Sequence, residues 1–138
     1  FPDCAFELNG GLRSIAHALE ASRGLAGAML GRLAYHQPWT LTEVDAVEDP
    51  MQADAAPDRS SVVEAMVAYL MRHRGAGKEH VEVRYIARHM LGLYHGEPGA
   101  RTWRRLLSDS AALREDDPSL LLRARDRVES ASRTLQAA

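Results

Sequence analysis

Ala5-Phe6-Glu7-Leu8-Asn9-Gly10-Gly11 and Ala26-Gly27-Ala28-Met29-Leu30-Gly31-Arg32 are the stretches that decide the fold of this chain. In the first, covering the strand at 5–9, Phe6 and Leu8 alternate with Glu7 and Asn9. That is the period-two pattern of a short strand, and two turn-permissive glycines end it. The second is an apolar run too short for a typical helix. It stops at Gly31-Arg32 and reads as a buried strand. Between them Leu12, Ile15, Ala16 and Leu19 recur at helical spacing until Gly24, which predicts a helix over 12–23. Another helix is expected from Leu33, with Pro38 interrupting or beginning a helix because it lacks an amide hydrogen. Strand, helix, strand, helix implies a parallel sheet with helices covering it. Two strands do not make a stable parallel sheet alone. The region is therefore expected to be a piece of something larger, and a start at Phe1 rather than Met agrees with that expectation.

Residues 41–58 hold six acids and no Lys or Arg, with Pro50 and Pro57, and read as a solvated connection. The expected organisation is a βαβα piece over 1–45, an acidic linker over 46–60 and a helical domain over 61–138. In that domain Ser61-x-x-Glu64 has capping-box spacing, and Val63, Met66, Val67, Leu70 and Met71 form one apolar stripe that Gly75 and Gly77 end. Val83, Ile86, Met90 and Leu93 mark a second helix stopping near Gly96. Pro98-Gly99 opens a shorter one with Trp103, Leu106 and Leu107 inward. Asp117-Pro118 begins the last, with Leu121, Leu122, Val128, Ala131 and Leu135 inward. Four helices with short connections suggest a compact bundle.

Composition narrows the function classes. The 138 residues carry 17 Lys+Arg against 19 Asp+Glu, a net charge of −2, with 46% hydrophobic and 26% charged residues. This is the balance of a soluble globular protein rather than a disordered one. No apolar run approaches the roughly 20 residues of a membrane helix, and no secretion signal is visible at the start. A single cysteine makes neither an intrachain disulfide nor a multi-cysteine metal site, and a cytoplasmic setting is expected. The near-neutral charge means that any attraction to nucleic acid must be local.

Two local features qualify. Asn9-Gly10-Gly11 and Gly31-Arg32 each follow a strand and precede a helix. There a glycine lets backbone amides approach an anion. In (β/α)8 barrels the loops after the last two strands commonly bind phosphate. Ordinary turns also use glycine, and the tandem arrangement is what favours the anion reading. The second feature is a basic cluster over 78–105: Lys78, Arg84, Arg88, Arg101, Arg104 and Arg105 against Glu79, Glu82 and Glu97. Guanidinium forks suit phosphate; the competing reading is a solvated helix face. Trp103 shares its spacing with Leu106 and Leu107 and reads as a core anchor rather than a base-stacking platform. The six histidines lie on different segments without His-Glu-x-x-His spacing, so no metal is expected. His89 and His95 sit beside the basic cluster as hydrogen-bonding groups. Nothing near Cys4 would activate its thiol.

Phe6-Glu7-Leu8-Asn9-Gly10-Gly11-Leu12-Arg13-Ser14 and the run from Gly27 to Pro38 resemble the last two βα units of the tRNA-dihydrouridine synthases, A subfamily. The run from Arg88 to Arg105, Arg-His-Met-Leu-Gly-Leu-Tyr-His-Gly-Glu-Pro-Gly-Ala-Arg-Thr-Trp-Arg-Arg, resembles that subfamily's helical-domain signature. The resemblance covers about residues 2–110 in the right order. It implies an α/β plus all-α chain: the last two βα units of a TIM (β/α)8 barrel, then a C-terminal helical bundle. It also implies FMN at the barrel mouth, NADPH as reductant, and D-loop uridine of tRNA as substrate, with the helical domain gripping the tRNA. Asn9, Gly10, Gly11, Gly31 and Arg32 match the flavin-phosphate loops. Arg88, His89, Arg101, Arg104 and Arg105 match the tRNA-contacting block. The family's catalytic cysteine, and the lysine and histidine that touch the flavin, belong to earlier strands. Cys4 does not match that cysteine, so the chain alone is expected to be inactive and to need a missing N-terminal barrel part. The rival reading is a non-catalytic RNA-binding helical module with a residual α/β cap.

Overall fold

The computed structural model describes residues 3–44, 58–75 and 80–136, with residues 135 and 136 described as backbone only. Most of the acidic stretch, Gly77, Lys78, Glu79 and the side chain of Leu135 lie outside the described residues. The chain divides into two compact units, residues 1–56 and 57–138.

In the first unit β1 (Glu7–Asn9) pairs in parallel with β2 (Gly27–Met29), in the register Glu7 to Gly27, Leu8 to Ala28 and Asn9 to Met29. The crossover carries α1 (Ile15–Ala21), and β2 runs into α2 (Gly31–His36). The expected order is present, with shorter elements. The first helix begins at Ile15 rather than 12, because the Ser14 side chain accepts the His17 N–H at 3.1 Å and fixes the start there. Its inward residues are Ile15 and Ala18; Ala16 is exposed and Leu19 is 50% exposed, contrary to the expected stripe. The second helix starts two residues before Leu33. Pro38 heads a separate 3₁₀ turn, Pro38–Leu41, that holds the half-buried Trp39.

The second unit is all-helical: α3 (Arg59–Arg72), α4 (Val83–Met90), α5 (Ala100–Leu107), α6 (Ser110–Arg114) and α7 (Ser119–Gln136). Helix α7 is the hub, packing on both α3 and α5, while α4 and α6 pack against α5 and each other. The core comprises Val63, Leu70, Val83, Ala87, Met90, Leu93, Tyr94, Trp103, Leu107, Leu120, Leu121, Ala124 and Val128. Trp103 is fully buried as an anchor, and its indole N–H donates to the Met90 carbonyl at 2.8 Å. That carbonyl, at the end of α4, has no partner within its own helix.

Four local expectations change. The cap of α3 is Asp58, whose side chain accepts the Ser61 N–H at 2.6 Å, so Ser61 lies inside the first turn and not at its boundary. Met71 is 59% exposed, on the rim of the stripe rather than in it. A fifth helix, α6, was not expected; Asp109 starts it by accepting from the Ala111 and Ala112 amides. Leu120 and Ala124 join Leu121 and Val128 inside, whereas Leu122 and Ala131 are half-buried. At the start of α5, Gly99 has φ +84°. A Cβ there would stand 3.1 Å from the Val128 Cα, so two backbones approach each other as closely as glycine permits.

Candidate functional site

The two glycine loops open on one cleft. Asn9, Gly10, Gly11, Leu12 and Arg13 from the end of β1 line it together with Met29, Leu30, Gly31, Arg32, Leu33, His36 and Gln37 from β2 and α2. Its volume is about 810 Å³. The convergence follows from the topology. Parallel neighbours end on the same side of the sheet, so the loops that leave them are adjacent.

The loop after β1 turns through left-handed backbone at Gly10 (φ +101°) and Gly11 (φ +72°). A branched residue is strained at either place. A Cβ at Gly10 or Gly11 would meet no atom within 4 Å, so the outer side of the turn is open to a bound group. The lining supplies the Arg13 and Arg32 guanidiniums and the His36 ring, both arginines exposed, and includes no carboxylate. This donor set, cationic and polar beside uncovered backbone, fits the phosphate end of a cofactor. The site residues Asn9, Gly10, Gly11, Gly31 and Arg32 are thus brought together. Arg13 is an addition: it stands two residues after the glycine pair, and its charge so near a phosphate-type loop is the signal for it.

The second group of candidate residues lies on α4 and α5. On a helix of 3.6 residues per turn, Arg104, Arg101 and Arg105 span an arc of about 100° that excludes Trp103 and Leu107, with Arg105 the farthest from both and Arg104 flanking Leu107. All three are exposed, and among the described residues none of them, nor Arg88, forms an ion pair. Glu97, the acid closest in sequence to Arg101, is held instead by Arg59 of α3 at 2.9 Å; Arg59 also donates to the Leu93 carbonyl at 3.0 Å. Arg88 and His89 are exposed in the last turn of α4, and the Met90–Trp103 hydrogen bond ties that turn to the middle of α5.

The corner that holds α4 was not legible in advance. Asp116 sits in left-handed backbone (φ +51°). Its carboxylate accepts the Val83 N–H at 2.7 Å and contacts His80 Nε2 at 2.8 Å. It caps α4 from a distant point in the chain, so no local capping pattern could reveal it. Cys4 is exposed and makes no disulfide. No group of three or more metal-ligating side chains occurs among the described residues, and no described helix is long and apolar enough to cross a membrane.

Comparison with known proteins places this geometry. Residues 2–131 match the family model described as Dihydrouridine synthase (Dus). Over 111 residues the chain is 40% identical to the tRNA-dihydrouridine(20/20a) synthase of Shewanella oneidensis, covering 80% of this chain and 32% of that protein. It is 40% identical over 125 residues to the protein of the same name from Salmonella typhi, covering 90% of this chain and 36% of the relative. The Vibrio cholerae counterpart is 37% identical over 115 residues, 80% of this chain and 33% of the other. The chain spans about a third of the length of these curated relatives.

Proposed function

Because the chain belongs to the dihydrouridine synthase family, we propose that it is the C-terminal portion of a flavin-dependent tRNA-dihydrouridine synthase. In this reading residues 1–45 are the last two βα units of an FMN-binding (β/α)8 barrel, and 61–138 form the tRNA-gripping helical domain. The relatives are named for positions 20 and 20a of tRNA, and these uridines are the proposed substrate.

The observation that carries the reading is the convergence of both glycine loops on one cleft lined by Arg13 and Arg32. Gly10, Gly11 and Gly31 would present backbone amides to the FMN phosphate. Arg32 and Arg13 would neutralise its charge, and Asn9 would orient the loop. Bound flavin would supply the redox chemistry, with NADPH as the electron source. This chain's part is to ground the phosphate and to hold the RNA. The proton donor to the uracil ring belongs to an earlier loop of the barrel, and the 138 residues alone are expected to form no dihydrouridine with FMN, NADPH and unmodified tRNA.

Titration with FMN and with riboflavin, which lacks the phosphate, tests the cleft. FMN should bind more tightly, and Arg32→Ala should weaken FMN by about tenfold or more while leaving riboflavin unchanged. Equal affinity for the two flavins would remove the phosphate assignment. For RNA, Arg101→Ala with Arg105→Ala should lower tRNA affinity and flatten the slope of log affinity against log salt by about 1.4 to 1.8 units. An unchanged slope in a folded double variant would return these arginines to mere solvation of the helix.

A further inference from the structure

The exposed face of α4 carries an arrangement that neither the glycine cleft nor the α5 arginines use. Tyr85 is 44% exposed, on the side away from Val83, Ala87 and Met90. Both neighbouring guanidiniums lie against its ring: the Arg84 Cζ is 4.9 Å from the ring centroid and the Arg88 Cζ is 5.1 Å from it. Arg84 also donates to the Tyr85 hydroxyl at 3.2 Å and to Glu82 Oε1 at 2.8 Å. Tyr85 does not serve the core, and both guanidiniums lie against its ring.

We infer that Tyr85 is a positioning residue that holds Arg84 and Arg88 as a ready-formed clamp for the phosphates of an RNA strand. The physical basis is entropy. A free arginine side chain loses much rotamer freedom when it engages a phosphate. A ring already holding the guanidinium removes part of that loss before binding. Attraction to the ring acts through the face of the planar fork, so the N–H groups of Arg88, and those of Arg84 other than the Nη2 held by Glu82 and the Tyr85 hydroxyl, are left for phosphate. Glu82 takes one edge of Arg84 and restrains the clamp on the side of the α4 N-terminus. The occupant follows from charge complementarity. Helices α4 and α5, tied by the Met90–Trp103 hydrogen bond, carry Arg84, Arg88, Arg101, Arg104 and Arg105 at exposed positions, a concentration of positive charge that suits a polyanionic backbone.

This inference rests on the tRNA-binding reading and is tested on the full chain with an unmodified tRNA transcript. Tyr85→Leu should weaken tRNA binding by about three- to tenfold while keeping the salt slope, since the same phosphates are contacted at a greater ordering cost. Tyr85→Phe keeps the ring and should stay within about twofold of the parent. Arg84→Ala with Arg88→Ala should lower affinity and flatten the slope by about 1.4 to 1.8 units. Adding Tyr85→Leu to that pair should cost nothing further. A further loss in the triple variant would mean that Tyr85 meets the RNA itself, by base stacking, and would overturn the positioning role. So would wild-type affinity in Tyr85→Leu. In the RNA-free chain, ring-current shifts of the Arg84 and Arg88 side-chain protons should be present by NMR and vanish in Tyr85→Leu; their absence in the parent would also overturn it. If the parent chain binds no tRNA, the broader reading fails and this one with it. If it binds through Arg101 and Arg105 but is indifferent to all α4 variants, only this inference fails.

Discussion

The two units of this chain solve the burial problem to different degrees. Among the described residues the helical unit buries thirteen apolar side chains, from Val63 to Val128, and leaves only Met71 and Tyr85 as large exposed hydrophobics. The βα unit buries three, Ile15, Ala18 and Leu33, and exposes six: Phe6, Leu19, Leu25, Met29, Tyr35 and Leu41. One unit has closed a core around Trp103. The other has a two-stranded sheet with helices and a surplus of apolar surface. The proposed barrel segment would behave this way, since each βα unit of a barrel completes its packing only against further strands. The difference teaches that family membership is written across the whole chain, whereas autonomous stability is concentrated in the part beyond residue 57.

The largest effect should be in hydrogen exchange. Amides in the middle of α7, around Leu121 and Ala124, should exchange more slowly than those of β1 and β2 by about a thousandfold or more, because only the closed core carries the global stability. Comparable protection in both units would break the contrast.

Truncation should repeat the contrast at the level of single residues. Trp103→Ala should cost about 3–5 kcal/mol by urea denaturation followed by circular dichroism, since it empties a fully buried site and removes the indole donor to the Met90 carbonyl, leaving it only the Leu93 N–H. Ile15→Ala should cost no more than about 2 kcal/mol, because its surroundings are already open. A third change sharpens the picture of the helical unit. Asp116→Ala should cost about 1–2 kcal/mol through loss of the Val83 cap. Asp116→Asn should cost less, since Asn tolerates left-handed backbone and keeps a side-chain oxygen.

The smallest effects should appear at the pH extremes and only in the helical unit. Burial, with Glu129 nearby, pushes the Tyr94 phenol up to about 12 from 10.0. The folded state holds that proton longer than the unfolded one, so the associated stability is complete below pH 10 and fades as pH rises through about 12. The Ser119 hydroxyl, then Arg123 and the Ser119 amide, hold the Asp117 carboxyl down at about 2 from 3.8. Its contribution is present above that unfolded value and is lost as pH falls through about 2, and the side chain's exposure keeps it small. Thermal melting against pH checks both. A Tyr94→Phe variant should lose the alkaline slope assigned to Tyr94.

Much of this could be read from the residues in order. Strand alternation around Leu8, the glycine pairs and the spacing of Trp103 with Leu107 are local signals, and each local preference agrees with the fold it joins. The departures have physical causes. Leu19 has the spacing of a buried residue but no described layer over it. The five-residue α6 is too short for periodicity to reveal, and only its Asp109 cap marks it. Asp116 acts across the chain from Val83. Tyr85 carries no periodicity signal of its own, because in sequence the arginines beside it read as charges and not as contacts with its ring. The glycine loops were legible as turns that follow strands and precede helices, and the structure brings both of them, with Arg13, onto one cleft.

The chain's two tryptophans fall one in each unit. Trp39 lies half-buried in the 3₁₀ turn after α2, and Trp103 is enclosed in the helical core with the Tyr94 ring 4.8 Å away. The molecule therefore carries two optical reporters with separate territories. Emission from Trp103 is shielded from aqueous quenchers and receives excitation energy from the adjacent tyrosine. Trp39, only half-buried, lies outside that enclosure. A Trp39→Phe variant turns fluorescence into a private record of the helical core, and events at the proposed flavin-phosphate cleft can then be told apart from events at the proposed RNA-binding helices by colour and quenching alone.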